Sequence, residues 1–259
     1  SGMPAHFLAA TLARQASSCL RGLKPQIEGL LARNLRRLGL DDLDDDFSMA
    51  EASSDLTMRS MRLLEMIAEL DTRDSKFDAL AELLGAEQRR GTTKFLLFTS
   101  FRHTISHLET QLQARGFRLG VIHGDVVDSE RRDLRRRFRL PPSSDDAIDI
   151  LLSTEVGSEG LDFQFCDFLI NYDVPWNPMK VEQRIGRVDR HGQMSETVSI
   201  ANFTVTGTID DDIYQRCLWR LGLFERAVGA TEEIFGTMTA DIERLAMDFT
   251  LTPEEQRNH

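Results

Sequence analysis

The chain has 259 residues and a formal net charge of −11 at pH 7, with 41% hydrophobic and 28% charged residues. This length and composition are typical of a globular protein with one main domain and an appendage. No apolar run approaches the roughly 20 residues that cross a bilayer, and the first residues lack a basic leader, so we expect a cytoplasmic protein without a membrane partner. Ser1 and Gly2 before Met3 suggest an excised piece of a longer protein.

The three cysteines, Cys19, Cys166 and Cys217, lie far apart and form no CxxC pair. This spacing argues against a disulfide framework and against a zinc site, and it favours a reducing compartment. We therefore predict no metal site in this chain.

Charged residues are distributed unevenly along the chain. Residues 131–139 (RRDLRRRFR) contain six arginines, whereas residues 41–46 (DDLDDD) contain five aspartates. The basic segment could follow the phosphates of a nucleic acid, although a solvated helix face is the simpler explanation. Because phosphate contacts favour a basic surface, the acidic mean predicts weak nucleic-acid binding by this chain in isolation.

The predicted secondary structure changes character near residue 75. Before it, helices at 5–40 and 56–70 flank an acidic loop at 41–55. After it, helices alternate with short apolar strands, with helices at 75–90, 102–115, 128–138 and 178–190 and strands at 94–99, 117–122, 148–153, 167–172 and 197–205. Two further helices are predicted at about 208–227 and 231–249.

This alternation predicts an α/β fold, a three-layer domain whose mainly parallel sheet is covered by helices on both faces. We divide the chain into a helical extension at 1–74, an α/β lobe at 75–206 and C-terminal helices at 207–259. Ligands of such sheets bind beyond the carboxyl ends of the strands, where the motifs described next are located.

The strongest chemical signal is the segment 183–193, QRIGRVDRHGQ. On a predicted helix, Arg187 and Arg190 project from one face, with Gln183 one turn earlier, and Gly186 allows the close approach of another surface. Two guanidinium groups on one ridge suit a ligand rich in anionic oxygens. The alternative is a solvated or salt-bridged pair, with Asp189 as the partner.

Five segments resemble, in order and with the expected spacing, motifs of the second RecA-like lobe of superfamily II helicases, in the form used by Swi/Snf DNA translocases. Segment 183–193 resembles motif VI, QxxGRxxR, and segment 153–162 (STEVGSEGLD) resembles motif V at the end of a strand. Segments 97–102, 123–131 and 171–178 resemble motif IV, the short motif after the next strand and the connection between motifs V and VI. Among relatives, the motif sequences are most similar to those of the bacterial RNA-polymerase-associated Swi/Snf-type ATPase.

The resemblance implies a role for each matching residue. Arg187 and Arg190 correspond to the arginines that reach the terminal phosphates of ATP, where an arginine finger accelerates phosphoryl transfer about 10³–10⁵-fold. Nucleotide contacts or a place near the interlobe cleft are further implied for Gln183, Gly160, Asp162 and Gly186. Contacts with a nucleic-acid backbone are implied for Ser100, Arg102, Ser153 and Thr154, the first two also because they stand at a helix start.

Two features limit what the resemblance transfers. Glu159 stands where many helicases have an arginine in motif V, so that arginine's contact is not carried over. The sequence has no GxxxxGK[ST] segment and no Walker B strand end, which cradle the β-phosphate and hold Mg²⁺. We therefore expect ATP and Mg²⁺ to be bound mainly by a first lobe outside this chain, and the chain alone to be inactive and to bind no cofactor tightly.

These observations predict the second motor lobe of an ATP-dependent translocase that remodels a protein–nucleic-acid complex. Double-stranded DNA is the expected track, with RNA as the alternative, and RNA polymerase is a candidate partner beside the first lobe. Two other functions stay open: a non-catalytic interaction module that keeps the fold, and part of an RNA-unwinding helicase. Intact Arg187 and Arg190 favour the motor over a degenerate module.

Overall fold

A computed structural model describes residues 5–39, 58, 61–69, 73–175, 178–208, 210, 211 and 214. Its centre is a sheet of five strands, β1 (Phe95–Phe98), β2 (Leu119–Ile122), β3 (Ile150–Ser153), β4 (Phe168–Asn171) and β5 (Ser199–Asn202). The strand order is β2-β3-β1-β4-β5, and all neighbouring pairs are parallel. The predicted α/β fold with a parallel sheet is confirmed.

Helices precede and connect these strands. In chain order they are α1 (Ala5–Ser18), α2 (Leu20–Gly39), α3 (61–68), α4 (Ser75–Arg89), α5 (Arg102–Gln113), α6 (Asp128–Arg139), α7 (Glu155–Ser158) and α8 (Pro178–Ile185). None of the helices in the described part of the chain is long and apolar enough to cross a membrane.

The sheet is buried on both faces because successive side chains of its inner strands are apolar up to the last residues of β3 and β4, Ser153 and Asn171. On β1, Phe95 and Leu97 belong to one hydrophobic cluster, and Leu96 and Phe98 belong to a second one on the opposite face. The first cluster is completed by α4 and α5, and the second by α6. Burying each such side chain contributes about 1.5–3 kcal/mol, so the two clusters hold the three layers together.

Cys166 lies in the second cluster and is fully buried. Its thiol donates long hydrogen bonds to the backbone carbonyls of Phe168 (3.4 Å) and Lys94 (3.6 Å). Burial raises the pKa of this thiol to about 12. Cys166 is therefore a protonated packing residue, consistent with the absence of a disulfide at this position.

The N-terminal region is two helices rather than the single predicted helix at 5–40. The break falls at Cys19, between α1 and α2. Ser18 is buried, and its hydroxyl bonds to Thr104 of α5 (2.9 Å) and to the carboxylate of Asp173 (2.9 Å). Serine competes with helical hydrogen bonding through its side chain, and here that side chain is used to dock α1 on the lobe.

The helix predicted at 178–190 is also shorter, because α8 ends at Ile185. Beyond it the backbone continues in tighter turns, in which the amides of Arg187 and Val188 bond to carbonyls three residues earlier. Gly186 has no side chain to support a continued helix, and these turns place Val188 in the second hydrophobic cluster. Arg187 and Arg190 therefore do not share a helix face, which corrects that expectation.

Several predicted elements fall wholly or partly outside the described residues. The predicted loop at 41–55 is outside them, and the predicted helix at 56–70 is helical over residues 61–68. The predicted helices at 208–227 and 231–249 are also outside them, apart from residues 208, 210, 211 and 214, of which the last three are helical.

Candidate functional site

The carboxyl ends of three adjacent strands bring the motif residues together. Strand β1 leads into Thr99 and Ser100, β3 leads into Thr154, and β4 leads into Asp173. Because the three strands are parallel neighbours, these segments meet at one edge of the sheet. This is the edge at which open α/β sheets bind their ligands.

Arg184 of α8 is the buried centre of this edge, with a side chain that is 1% exposed. Its guanidinium donates to the side-chain oxygen of Asn171 (2.7 Å), to the carbonyl of Asp173 (2.9 Å) and to the carboxylate of Glu155. It also lies over the ring of Phe98, 5.1 Å from the ring centre. Arg184 thus fastens motif VI to the end of β4 and to the motif V helix α7.

Sequence reasoning missed Arg184, because it assigned the chemistry of the motif to the two later arginines. The spacing of the motif offered no signal for it, because Val188 lies beyond the end of α8 and the burial of Arg184 follows only from the tertiary structure.

Asp173 forms a second buried node at the same edge. Its carboxylate accepts hydrogen bonds from the hydroxyl of Thr99 (2.5 Å), the amide of Ser100 (2.7 Å) and the hydroxyl of Ser18 (2.9 Å). The carboxylate therefore joins motif IV, the segment between motifs V and VI, and the N-terminal helix α1. Three donors compensate the cost of burying its charge.

The two arginines predicted to face ATP differ in their surroundings. Arg190 is 55% exposed and forms a salt bridge with Asp162 of motif V. Arg187 is half-buried, and within the described part of the chain its guanidinium makes neither a hydrogen bond nor a salt bridge. Its backbone carbonyl accepts the amide of Phe163 (2.8 Å), which fixes the turn beside motif V. The salt-bridge partner of Arg190 is therefore Asp162 and not Asp189, the partner considered from the sequence.

The other predicted nucleotide residues lie around this pair without joining it. Gln183 and Gly186 are exposed at the end of α8, and Gly160 is exposed with a left-handed φ of 75°. Among the described residues, no hydrogen bond connects any of the three to Arg187 or Arg190. Asp162, by contrast, forms a salt bridge with the predicted catalytic residue Arg190.

The predicted nucleic-acid residues are largely engaged within the protein. The hydroxyl of Thr154 caps α7 by accepting the amide of Gly157 (3.1 Å), and the buried hydroxyl of Ser153 donates to the carbonyl of Thr154 (2.9 Å). Arg102 is exposed and pairs with Asp125 (2.5 Å). That pairing raises the pKa of the guanidinium and lowers the pKa of the carboxyl.

The arginine-rich helix α6 has its apolar side turned inward, with Leu134 and Phe138 buried as the sequence predicted. Several arginines have partners within the protein. Arg135 donates to the carbonyl of Asp162 (2.6 Å), Arg136 pairs with Asp133 (2.7 Å), and Arg139 lies over the ring of Phe165. These contacts favour a structural and solvated role for the cluster over a dedicated phosphate surface.

Comparison with known families identifies the segment that carries this site. Residues 75–192 match the family described as "Helicase conserved C-terminal domain". This part of the chain is a helicase C-terminal domain, and the resemblance of its motifs to the second lobe of superfamily II helicases is confirmed.

Curated proteins similar to this chain include ATP-dependent helicases. The "Uncharacterized ATP-dependent helicase YqhH" of Bacillus subtilis is 34% identical over 163 residues, which cover 63% of this chain and 27% of YqhH. The "RNA polymerase-associated protein RapA" of Vibrio atlanticus is 30% identical over 191 residues, covering 68% of this chain and 19% of RapA. The "ATP-dependent RNA helicase eIF4A" of Scheffersomyces stipitis is 30% identical over 145 residues, covering 56% of this chain and 34% of that protein. The chain thus spans only a fraction of each relative.

A solved structure supports the fold assignment. The C-terminal part of the Fun30 ATPase domain superposes with a TM-score of 0.52 and 19% identity, over 76% of this chain and 64% of that one. The similarity shows that the fold is that of a RecA-like C-terminal helicase lobe.

Proposed function

We propose that this chain supplies the second motor lobe of an ATP-dependent nucleic-acid translocase, with Arg187 as its principal arginine finger. The observation that carries the proposal is the contrast among the three motif VI arginines. Arg184 is buried and Arg190 is paired, whereas the guanidinium of Arg187 has no partner among the described residues. A half-buried, unpartnered guanidinium at the ligand-binding edge suits an anionic substrate such as the terminal phosphates of ATP.

Arg190 has a conditional role in this proposal. Its salt bridge with Asp162 keeps the guanidinium on the lobe while no phosphate is near. When the lobes close, the terminal phosphates compete with the carboxylate for the same donors, because a phosphate carries more charge. Arg184 acts as a positioning residue, since it fixes α8 against the sheet.

The remaining parts of the motor are assigned outside this lobe. ATP and Mg²⁺ are held mainly by a first lobe, because the sequence contains no phosphate loop. Residues 75–206 form the motor lobe in this proposal, with 1–74 and 207–259 as helical extensions. The chain alone is inactive and binds no nucleotide tightly.

The proposed track is double-stranded DNA, and the proposed activity is remodelling rather than strand separation. The sequences of segments 171–178 and 183–193, which resemble the Swi/Snf motifs, support this choice, and so does the similarity to RapA. The similarity to RapA also makes RNA polymerase a candidate partner. An RNA-unwinding helicase is the second candidate, because an ATP-dependent RNA helicase is also among the relatives. ATPase stimulation by duplex DNA, compared with single-stranded RNA, distinguishes the two.

The test joins the chain to its upstream lobe and measures ATP hydrolysis with and without duplex DNA. We expect DNA to stimulate hydrolysis and Arg187→Ala to lower the stimulated rate by about 10³-fold or more, as for other arginine fingers. Arg90→Ala is the matched control, because Arg90 is exposed before β1, at the opposite edge of the sheet. A stimulated rate unchanged by Arg187→Ala would contradict the finger assignment, and ATPase activity of the isolated chain would contradict its dependence on a first lobe.

A further inference from the structure

Three potential metal ligands converge beside Ser18, the α1 residue whose hydroxyl bonds to Asp173. They are Cys19 from the junction of α1 and α2, Asp74 at the start of α4, and His107 of α5. Their ligand atoms all lie within 4.8 Å of one another, and Nε2 of His107 is 2.8 Å from Oδ2 of Asp74. A thiol, a carboxylate and an imidazole from three separate elements are thus gathered at one point.

The surrounding backbone holds these side chains in place. Asp74 caps α4 by accepting the amide of Phe77 on Oδ1 (3.0 Å), which leaves Oδ2 directed at His107. The sulfur of Cys19 accepts the amide of Gly22 (3.3 Å). The ring of Phe77 packs edge-on against His107, with the ring centres 6.2 Å apart. Hydrogen bonds from backbone amides to ligand atoms help to orient metal ligands in proteins.

The cluster has room for a further ligand. Cys19 and Asp74 line a cavity of about 810 Å³, and Asp74 and His107 line another of about 340 Å³.

The cavities beside the cluster are lined by basic side chains, namely Arg21, Lys24, Arg73, Lys76 and Arg115. A thiolate and a carboxylate together balance the two charges of the metal, so these side chains do not face an uncompensated cation.

We propose that Cys19, Asp74 and His107 bind one Zn²⁺, with water as the fourth ligand. A mixed set of sulfur, nitrogen and oxygen ligands favours zinc over magnesium or calcium, which take oxygen ligands. Tetrahedral nitrogen and oxygen ligands about 2.0–2.1 Å from zinc lie about 3.3 Å apart, so Asp74 and His107 must separate by only about half an ångström. On binding, Cys19 releases its thiol proton to solvent, and His107 binds as the neutral imidazole.

Such a metal would tie the junction of α1 and α2 to α4 and α5 of the lobe. The expected consequence is greater stability, because an ion that binds only the folded chain shifts the unfolding equilibrium. The inference does not rest on the motor function, since neither Arg187 nor the rest of motif VI contributes to the cluster.

Cobalt binding to the full chain tests the proposal, because Co²⁺ reports sulfur ligation by a thiolate-to-metal charge-transfer band. The starting protein carries Cys166→Ala and Cys217→Ala, which leave Cys19 as the sole thiol, and chelator removes any bound metal. We expect saturable binding of one Co²⁺ per chain with the charge-transfer band, displacement by Zn²⁺, and a higher unfolding temperature with Zn²⁺. Cys19→Ser should abolish the band, and Asp74→Asn or His107→Gln should weaken Co²⁺ binding at least tenfold.

Folding and specificity are controlled within the same experiment. Asparagine retains helix capping at position 74, and glutamine retains a hydrogen-bonding group at 107, so these variants should fold like the parent in metal-free buffer. His103→Gln, on the same helix but outside the cluster, should bind Co²⁺ like the parent. Absence of the band in the folded parent, or equal binding by the Asp74 and His107 variants, would overturn the site.

Discussion

At the scale of single residues, the lobe depends on two buried charges whose partners come from different motifs. Arg184 joins the end of β4 to α7, and Asp173 joins the end of β1 to α1. Each is held by three hydrogen bonds, so each is costly to disturb from one side only. Removal of one partner leaves the others buried without compensation, which costs more than the net value of the original contacts.

Arg184→Ala should therefore lower the free energy of unfolding by about 3–5 kcal/mol, the usual cost of breaking a buried pair from one side. Arg190→Ala is the control, because its salt bridge is largely exposed and such pairs contribute about 0–1 kcal/mol. Urea unfolding of the two variants beside the parent measures both changes. Similar losses in the two variants would show that Arg184 is not the buried anchor described here.

The residue scale is also where sequence reasoning was least complete. The motif spacing drew attention to Arg187 and Arg190, but it could not show that Asp162 pairs with Arg190 or that Arg184 is buried. Salt bridges between residues far apart in the sequence depend on the order of the strands in the sheet, which local sequence patterns do not predict. The same limit applies to Cys19, Asp74 and His107. A search for closely spaced cysteines could not find the proposed zinc ligands, which only the tertiary structure brings together.

At the scale of elements, the apolar runs predicted all five strands, and the predicted α4, α5 and α6 end within about two residues of the observed ends. Buried parallel strands are continuous apolar segments, so they stand out in a sequence. The errors fall where tertiary contacts override helix propensity. Ser18 is drawn into the lobe at the break before α2, and Val188 is drawn into the core beyond the end of α8.

Gly157 shows how closely the motif V helix approaches the sheet. A β-carbon at this position would clash with the backbone carbonyl of Ile122 at the end of β2, which cannot move independently of the sheet. Gly157→Ala should destabilise the chain by about 1–3 kcal/mol, the usual cost of overpacking. Gly29→Ala in α2 has no neighbour within 4 Å and should instead stabilise by about 0.5–1 kcal/mol. Thermal unfolding of both variants measures the signs, and a neutral Gly157→Ala would contradict the close approach.

At the scale of the whole molecule, the N-terminal helices are docked on the lobe through both apolar and polar contacts. Leu23 and Ile27 of α2 are buried, and α2 packs against α5. Gln15 and Ser18 both bond to Thr104 of α5. The extension therefore contributes to the stability of the lobe as well as lying beside it.

Removal of residues 1–72 should accordingly lower the stability of the remainder by several kcal/mol. Burial of each large apolar side chain contributes about 1.5–3 kcal/mol, and a lost partner of a buried polar group costs about 1–3 kcal/mol. Ser18→Ala in the full chain should cost only about 1 kcal/mol, because Asp173 keeps its bonds from Thr99 and Ser100. Urea unfolding compares the three proteins. A truncated chain as stable as the full one would show that the docking is energetically neutral.

The buried thiol of Cys166 can serve as a chemical probe for opening of this lobe. With a pKa of about 12 and no exposed surface, the thiol cannot react with an alkylating reagent while the sheet is closed. Once Cys19 and Cys217 are replaced, every alkylated molecule records one opening of the second hydrophobic cluster. The rate of alkylation then reports the opening of the lobe, in dilute solution and in the presence of any partner added to it.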